Sequence, residues 1–126
     1  MLKFKVMDIY REKLLDHYHN PRNYGELLKA TNQIRVENVS CGDTINMQVL
    51  ISKKTLKKVK FMGEGCAIAI AAASILSEHA QGKPLEQLKK LQLADLLKLM
   101  GVELTLSRRK CASLCLESLK AAIKST

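Results

Sequence analysis

Val59-Lys60-Phe61-Met62-Gly63-Glu64-Gly65-Cys66-Ala67-Ile68-Ala69-Ile70-Ala71-Ala72-Ala73 is the stretch in which the periodicity of the chain changes. Before it ends, Val59 and Phe61 alternate with Lys58 and Lys60, the period of two that belongs to a strand with one buried and one wet face. From Cys66 to about Ala80 the period becomes helical, and the many alanines let that helix lie close against a sheet. Gly63 and Gly65 sit at the junction, where they allow dihedrals that other residues resist. A strand that runs into a helix at a cysteine therefore sets both the fold class and the first candidate site.

Upstream, two further strands are predicted. Ile45, Met47, Val49 and Ile51 alternate with Thr44, Asn46 and Gln48, and Ile34 and Val36 alternate with Arg35 and Glu37. The connections Val39 to Asp43 and Ser52 to Thr55 are short, so the three strands form an antiparallel meander. Ahead of them, Met7, Tyr10, Leu14 and Tyr18 mark one stripe of an amphipathic helix. It ends at Asn20-Pro21, because the residue before a proline is pushed out of the helical region. His17 and His19 fall in its last turn, where a side chain of this type satisfies terminal carbonyls and suits the negative helix end. Pro21 to Gly25 reads as a turn.

Downstream, Gly82-Lys83-Pro84 breaks the alanine-rich helix, with Pro84 placed as the first residue of the next. Leu85, Leu88, Leu91, Leu93, Leu96, Leu97 and Leu99 continue helically to a stop at Gly101. Ser107 is a candidate N-cap for a last helix from Arg108 to Ile123. The order predicts an α+β fold in one domain over residues 1–126: an N-terminal helix, a three-stranded antiparallel sheet, then C-terminal helices packed on one face.

Composition narrows the function classes. Hydrophobic residues make up 47% and charged residues 26%, ordinary for a globular chain. The longest apolar run, Cys66 to Ala73, is far too short to span a membrane. The start, Met1-Leu2-Lys3-Phe4-Lys5, has no signal-peptide core, so a cytoplasmic location is expected. The formal net charge is +9. That suits nucleic acid, an acidic partner or an anionic cofactor, but with only three Tyr, two Phe and no Trp the bases would find few stacking platforms, which disfavours nucleic acid.

The cysteines carry the chemistry. Four of them in a compartment that keeps thiols reduced point to metal binding or catalysis rather than disulfides. Cys41 stands in Ser40-Cys41-Gly42-Asp43, with Asp43 entering the second strand on the same side as Cys41 if the chain there is extended. Cys66 opens a helix, and Cys111 is placed in the first turn of the last helix, where unpaired amides favour a thiolate. Arg108, Arg109 and Lys110 add positive charge beside Cys111. Three thiolates and the Asp43 carboxylate make a set of four ligands, soft enough for an iron–sulfur cluster or zinc. An oxygen ligand holds such a cargo less firmly than a fourth thiolate, a defect in an electron carrier and useful in a donor. Cys115 lies four residues after Cys111, on the same helical face. It is either an auxiliary thiol or a core residue beside Leu114, Leu119 and Ala122. Glu64 is either a residue at the site edge or a solvated loop carboxylate.

These motifs together resemble the IscU/NifU/SufU family of iron–sulfur cluster assembly scaffolds. The resemblance runs from about Ile9 to Ile123. It is carried by Asp16-His17-Tyr18-His19-Asn20-Pro21-Arg22-Asn23, Cys41-Gly42-Asp43, Phe61-Met62-Gly63-Glu64-Gly65-Cys66-Ala67-Ile68 and Cys111-Ala112-Ser113-Leu114. It implies a scaffold that accepts sulfur from a cysteine desulfurase, builds a [2Fe–2S] cluster and transfers it to apo-protein acceptors, a carrier rather than an enzyme. It implies Cys41, Cys66 and Cys111 as the scaffold cysteines, Asp43 as the labile ligand and Cys111 as first choice for taking the persulfide, with zinc as the alternative occupant of the same ligands. The alternative function is a SufU-like zinc-dependent sulfurtransferase that activates a desulfurase. No membrane partner is expected, and self-association is left open.

The chain departs from the subgroups at named places. IscU-type members carry histidine before the third cysteine, where this chain has Lys110. Their Pro-Pro-Val-Lys chaperone-recognition stretch is replaced by Leu104-Thr105-Leu106-Ser107. SufU-type chains have an insertion between the second and third cysteines that the 45-residue spacing here does not hold.

Overall fold

The computed structural model describes the backbone of residues 2–38 and 42–124, and the side chains of residues 11–38 and 42–124. The order is α1 (Leu2–His19), β1 (Asn32–Asn38), β2 (Asp43–Ser52), β3 (Thr55–Glu64), α2 (Ala67–Ala80), α3 (Leu85–Lys89), α4 (Leu93–Met100) and α5 (Leu106–Lys124). The strands form an antiparallel sheet in the order β1-β2-β3, as the alternation predicts. Lys53 and Lys54 both have positive φ, 52° and 58°. Two such residues in a two-residue loop twist in the sense of the flanking strands and so fix the β2–β3 register.

The sheet buries Ile45, Met47, Val49, Val59 and Phe61 against α2 and α5. α2 is enclosed on nearly all sides: Ala69 to Ser77 are all buried, between β3, α5 and α1. Alanines at 69, 71, 72 and 73 make this close approach sterically possible. The segment after α1 hydrogen-bonds along the free edge of β3, where Phe61 N donates to Asn23 O at 2.9 Å and Gly25 N to Phe61 O at 2.9 Å.

Three expectations require correction. The leucine-rich stretch is two helices, because Gln92 leaves the helical region (φ −122°, ψ 167°) and starts α4 with a reciprocal capping box to Asp95. Pro84 is the N-cap of α3 and lies outside the helix. The last helix begins two residues early, at Leu106. Thr105 caps it, its Oγ1 accepting from Arg108 N at 3.4 Å and its carbonyl from Arg109 N at 2.9 Å. Ser107 therefore lies inside the helix, and Cys111 is in its second turn, where the end dipole favours a thiolate less than the first turn would.

Candidate metal and sulfur site

The site lies at one end of the sheet, where β2 begins, β3 passes into α2, and α5 crosses. Asp43 is the first residue of β2 and is only 1% exposed. Asn38 O accepts from Gly42 N at 2.8 Å, which closes the β1–β2 connection immediately before it. Cys66 is the N-cap of α2, half-buried and extended (φ −71°, ψ 165°). Cys111 is 4% exposed on the inward face of α5.

These three elements bring an Asp43 carboxylate oxygen, Cys66 Sγ and Cys111 Sγ to within 4.8 Å of one another. Asp43 Oδ1 accepts a hydrogen bond from the Cys66 backbone N–H at 3.0 Å, and Oδ2 receives the Cys66 thiol at 3.9 Å. The Cys111 thiol reaches the Ser107 carbonyl at 3.7 Å. Two soft sulfurs and one hard oxygen at this spacing form a donor set for zinc or for iron in a sulfur-rich environment. Arg108, Arg109 and Lys110 are exposed on the turn before Cys111.

A second cluster fixes the approach to the site. His17 is 6% exposed, and its Nδ1 lies 2.7 Å from the buried Ser74 Oγ. Ser74 Oγ also accepts from Arg22 N at 2.9 Å. Ser74 Oγ thus joins the Arg22 amide and the His17 ring, whose Nε2 faces Glu78 Oε1 at 3.6 Å. Burial, then Arg22, push the His17 pKa below its usual value; Glu78 opposes them. Nearby, Asn23 Nδ2 donates to Ser77 Oγ at 3.1 Å. His17, expected to satisfy terminal carbonyls or suit the negative helix end, lies in the last turn of α1 and pairs with a neighbouring helix. Sequence reasoning passed over Ser74 and Ser77, although two serines three apart in the apolar part of α2 were the available signal.

The turn pinned in this way places Tyr24. Its hydroxyl donates to Gly63 O at 3.1 Å and lies 3.4 Å from Gly63 N, and its ring meets Phe61 edge-on at 5.2 Å. A groove of about 550 Å³ opens there, beside the Gly65–Cys66 turn, lined by Tyr18, His19, Pro21, Tyr24, Glu64 and Ile70 among others.

Residues 9–125 match the model of the family described as NifU-like N terminal domain. The chain belongs to that family. The iron-sulfur cluster assembly scaffold protein IscU of Haemophilus influenzae is 36% identical over 121 residues, covering 90% of this chain and 92% of that one. The zinc-dependent sulfurtransferase SufU of Bacillus subtilis is 30% identical over 132 residues, covering 91% and 89%. The N-terminal part of a nitrogen-fixing NifU-like protein from Brucella abortus has the same fold, with a TM-score of 0.78 over 93% of each chain at 16% identity.

Within this NifU-like domain the predicted site residues fall into three groups. Asp43, Cys66 and Cys111 converge. Cys41 lies outside the described residues. Cys115 is fully buried in the core, where its thiol donates to Ala112 O at 3.2 Å and burial pushes its pKa up to about 12. Lys110 and Glu64 are exposed. Among the described residues, no helix is long and apolar enough to cross a membrane.

Proposed function

We propose that this chain is a scaffold for iron–sulfur cluster assembly: it accepts sulfur from a cysteine desulfurase, assembles a [2Fe–2S] cluster and transfers it to apo-proteins. The observation that carries the reading is the convergence of the Asp43 carboxylate with the Cys66 and Cys111 sulfurs within 4.8 Å at one end of the sheet. The named IscU relative supports it.

In this reading Cys41, Asp43, Cys66 and Cys111 hold the cargo. The Cys111 thiolate attacks the outer sulfur of a persulfide on the desulfurase. A new S–S bond forms on Cys111, and the desulfurase cysteine leaves as a thiolate. Reducing that sulfane sulfur to sulfide takes two electrons from an external donor. Arg108, Arg109 and Lys110 favour the Cys111 thiolate electrostatically. Cys115, held as a neutral core thiol, takes no part in this scheme. The whole of residues 1–126 acts as one carrier domain, not an enzyme, in a reducing compartment such as the cytoplasm.

The test is the iron, acid-labile sulfide and zinc content of protein purified without oxygen and then supplied with ferrous iron, a desulfurase, cysteine and a reductant. Iron and sulfide in equal proportion, with a visible charge-transfer spectrum lost in Asp43→Ala/Cys66→Ala/Cys111→Ala, is the expected result. Zinc retained without sulfide after that treatment, together with stimulation of the desulfurase, would replace the scaffold by a zinc-dependent sulfurtransferase.

A further inference from the structure

The Asp43 carboxylate lies in the β3–α2 turn in space that residue 65 leaves empty. A Cβ built at Gly65 would stand 2.3 Å from Asp43 Oδ1, 2.8 Å from its Cγ and 3.0 Å from its Cβ. All three nearest atoms belong to one buried side chain, and separations this short cannot be absorbed without moving it. The contrast with Gly42 is instructive: there φ is +72°, yet a Cβ would meet nothing within 4 Å. Gly42 serves its backbone alone, whereas Gly65, with φ at +156°, serves both its backbone and its neighbour.

We infer that Gly65 is a positioning residue for Asp43: its missing side chain lets one carboxylate oxygen reach the Cys66 amide while the other turns toward the Cys66 and Cys111 thiols. The inference rests on the reading of these three side chains as ligands. With Oδ1 engaged by the amide at 3.0 Å, Asp43 presents one oxygen to the cargo. It is a monodentate ligand whose second oxygen is held by the protein. A side chain at position 65 drives the carboxylate from this seat and removes the oxygen donor, leaving the thiols.

The test is Zn²⁺ and Co²⁺ binding to the full chain under reducing, anaerobic conditions. The Co²⁺ spectrum separates thiolate charge-transfer bands from ligand-field bands, so it reports the donor set and not overall stability. Gly65→Ala is expected to weaken Zn²⁺ binding by about 10- to 100-fold, the range for losing an orienting contact, and to give the same Co²⁺ spectrum as Asp43→Gly, with thiolate bands retained. Adding Gly65→Ala to Asp43→Gly, which removes all three clashing atoms, is expected to cost no further affinity. Wild-type affinity and spectrum in Gly65→Ala, or effects that multiply in the double variant, would overturn the inference. Where Gly65→Ala alone fails to fold, the double variant decides. Folding regained supports the inference, and folding still lost assigns position 65 to its backbone dihedral and overturns it. A wild-type protein with no thiolate-to-cobalt band would overturn the ligand reading and the inference with it, whereas a normal wild-type spectrum left unchanged by Gly65→Ala sinks the inference alone.

Discussion

Ser74→Ala is the sharpest probe of how the N-terminal segment is attached. Ser74 Oγ is fully buried and serves two partners, the Arg22 N–H at 2.9 Å and His17 Nδ1 at 2.7 Å. Removing it takes this partner from both, in a place where His17 is buried. An orphaned buried polar group costs about 1–3 kcal/mol. Arg22 is only half-buried, so its share belongs at the low end, and the sum is about 2–4 kcal/mol. For 126 residues, an unfolding entropy near 2.1 cal/mol/K per residue converts each kcal/mol to about 4 °C, so the melting point should fall by roughly 8–16 °C.

The assay is urea unfolding with an unchanged m-value, paired with hydrogen exchange, in which α1 amides should lose more protection than those of the sheet. Ser118→Ala is the internal comparison. Ser118 is equally buried, but its hydroxyl makes a single long bond, 3.5 Å to Ile45 O. It should cost less than about 1 kcal/mol. A Ser74→Ala effect below about 0.5 kcal/mol, or one no larger than that of Ser118→Ala, would refute the claim that Ser74 holds α1 and the following turn to α2.

Stability should fall on mild acidification. His17 is neutral and its folded-state pKa lies below 6.5, so the unfolded chain binds the extra proton; stability is full above pH 6.5 and is lost as pH falls below it toward the depressed value. His79, lowered by burial and Lys83, acts in the same direction, so His17→Gln should reduce the slope of unfolding free energy against pH between 5 and 7 without abolishing it; an unchanged slope would remove His17 from the account. Cys115, with its pKa pushed up to about 12, should resist iodoacetamide at pH 8 in the folded protein and react only on unfolding, which mass mapping of alkylated peptides reads directly. Asp43→Ala should lengthen the lifetime of a bound cluster and slow its transfer to an acceptor apo-protein, because in the proposed scheme the weakest-held ligand is gone; a variant that loses its cluster faster than wild type would contradict that role.

Most of the fold was legible because its signals are local. The switch from alternation at Val59 and Phe61 to small helical residues after Cys66 placed β3 and α2, and the turn lysines fell where the hairpin needed them. Element ends were read less well, because caps depend on single side chains. Thr105 outcompeted Ser107 for the start of α5, and the Gln92–Asp95 box split a leucine pattern that is continuous in sequence. The site was legible as residue types rather than as geometry. Nothing in the spacing of Asp43, Cys66 and Cys111 shows that one amide holds one carboxylate oxygen. The burial of His17 was hidden for the opposite reason, since a last-turn histidine has a ready local explanation and its true partner is 57 residues away.

The arrangement explains why a site of this kind can release what it holds. Each proposed donor side chain has a protein partner: Asp43 Oδ1 accepts from the Cys66 amide, the Cys66 thiol faces Asp43 Oδ2, and the Cys111 thiol faces the Ser107 carbonyl. A metal or cluster must displace the thiol protons to bind, so loading strengthens with rising pH and unloading is assisted by their return. Two of these contacts are long, 3.9 Å and 3.7 Å, and compete weakly. The 3.0 Å amide bond holds Asp43 Oδ1 and leaves Oδ2 for the cargo, and an oxygen is the donor whose bond to soft iron or zinc is weakest. In the proposed function, exchange is therefore expected to start at Asp43.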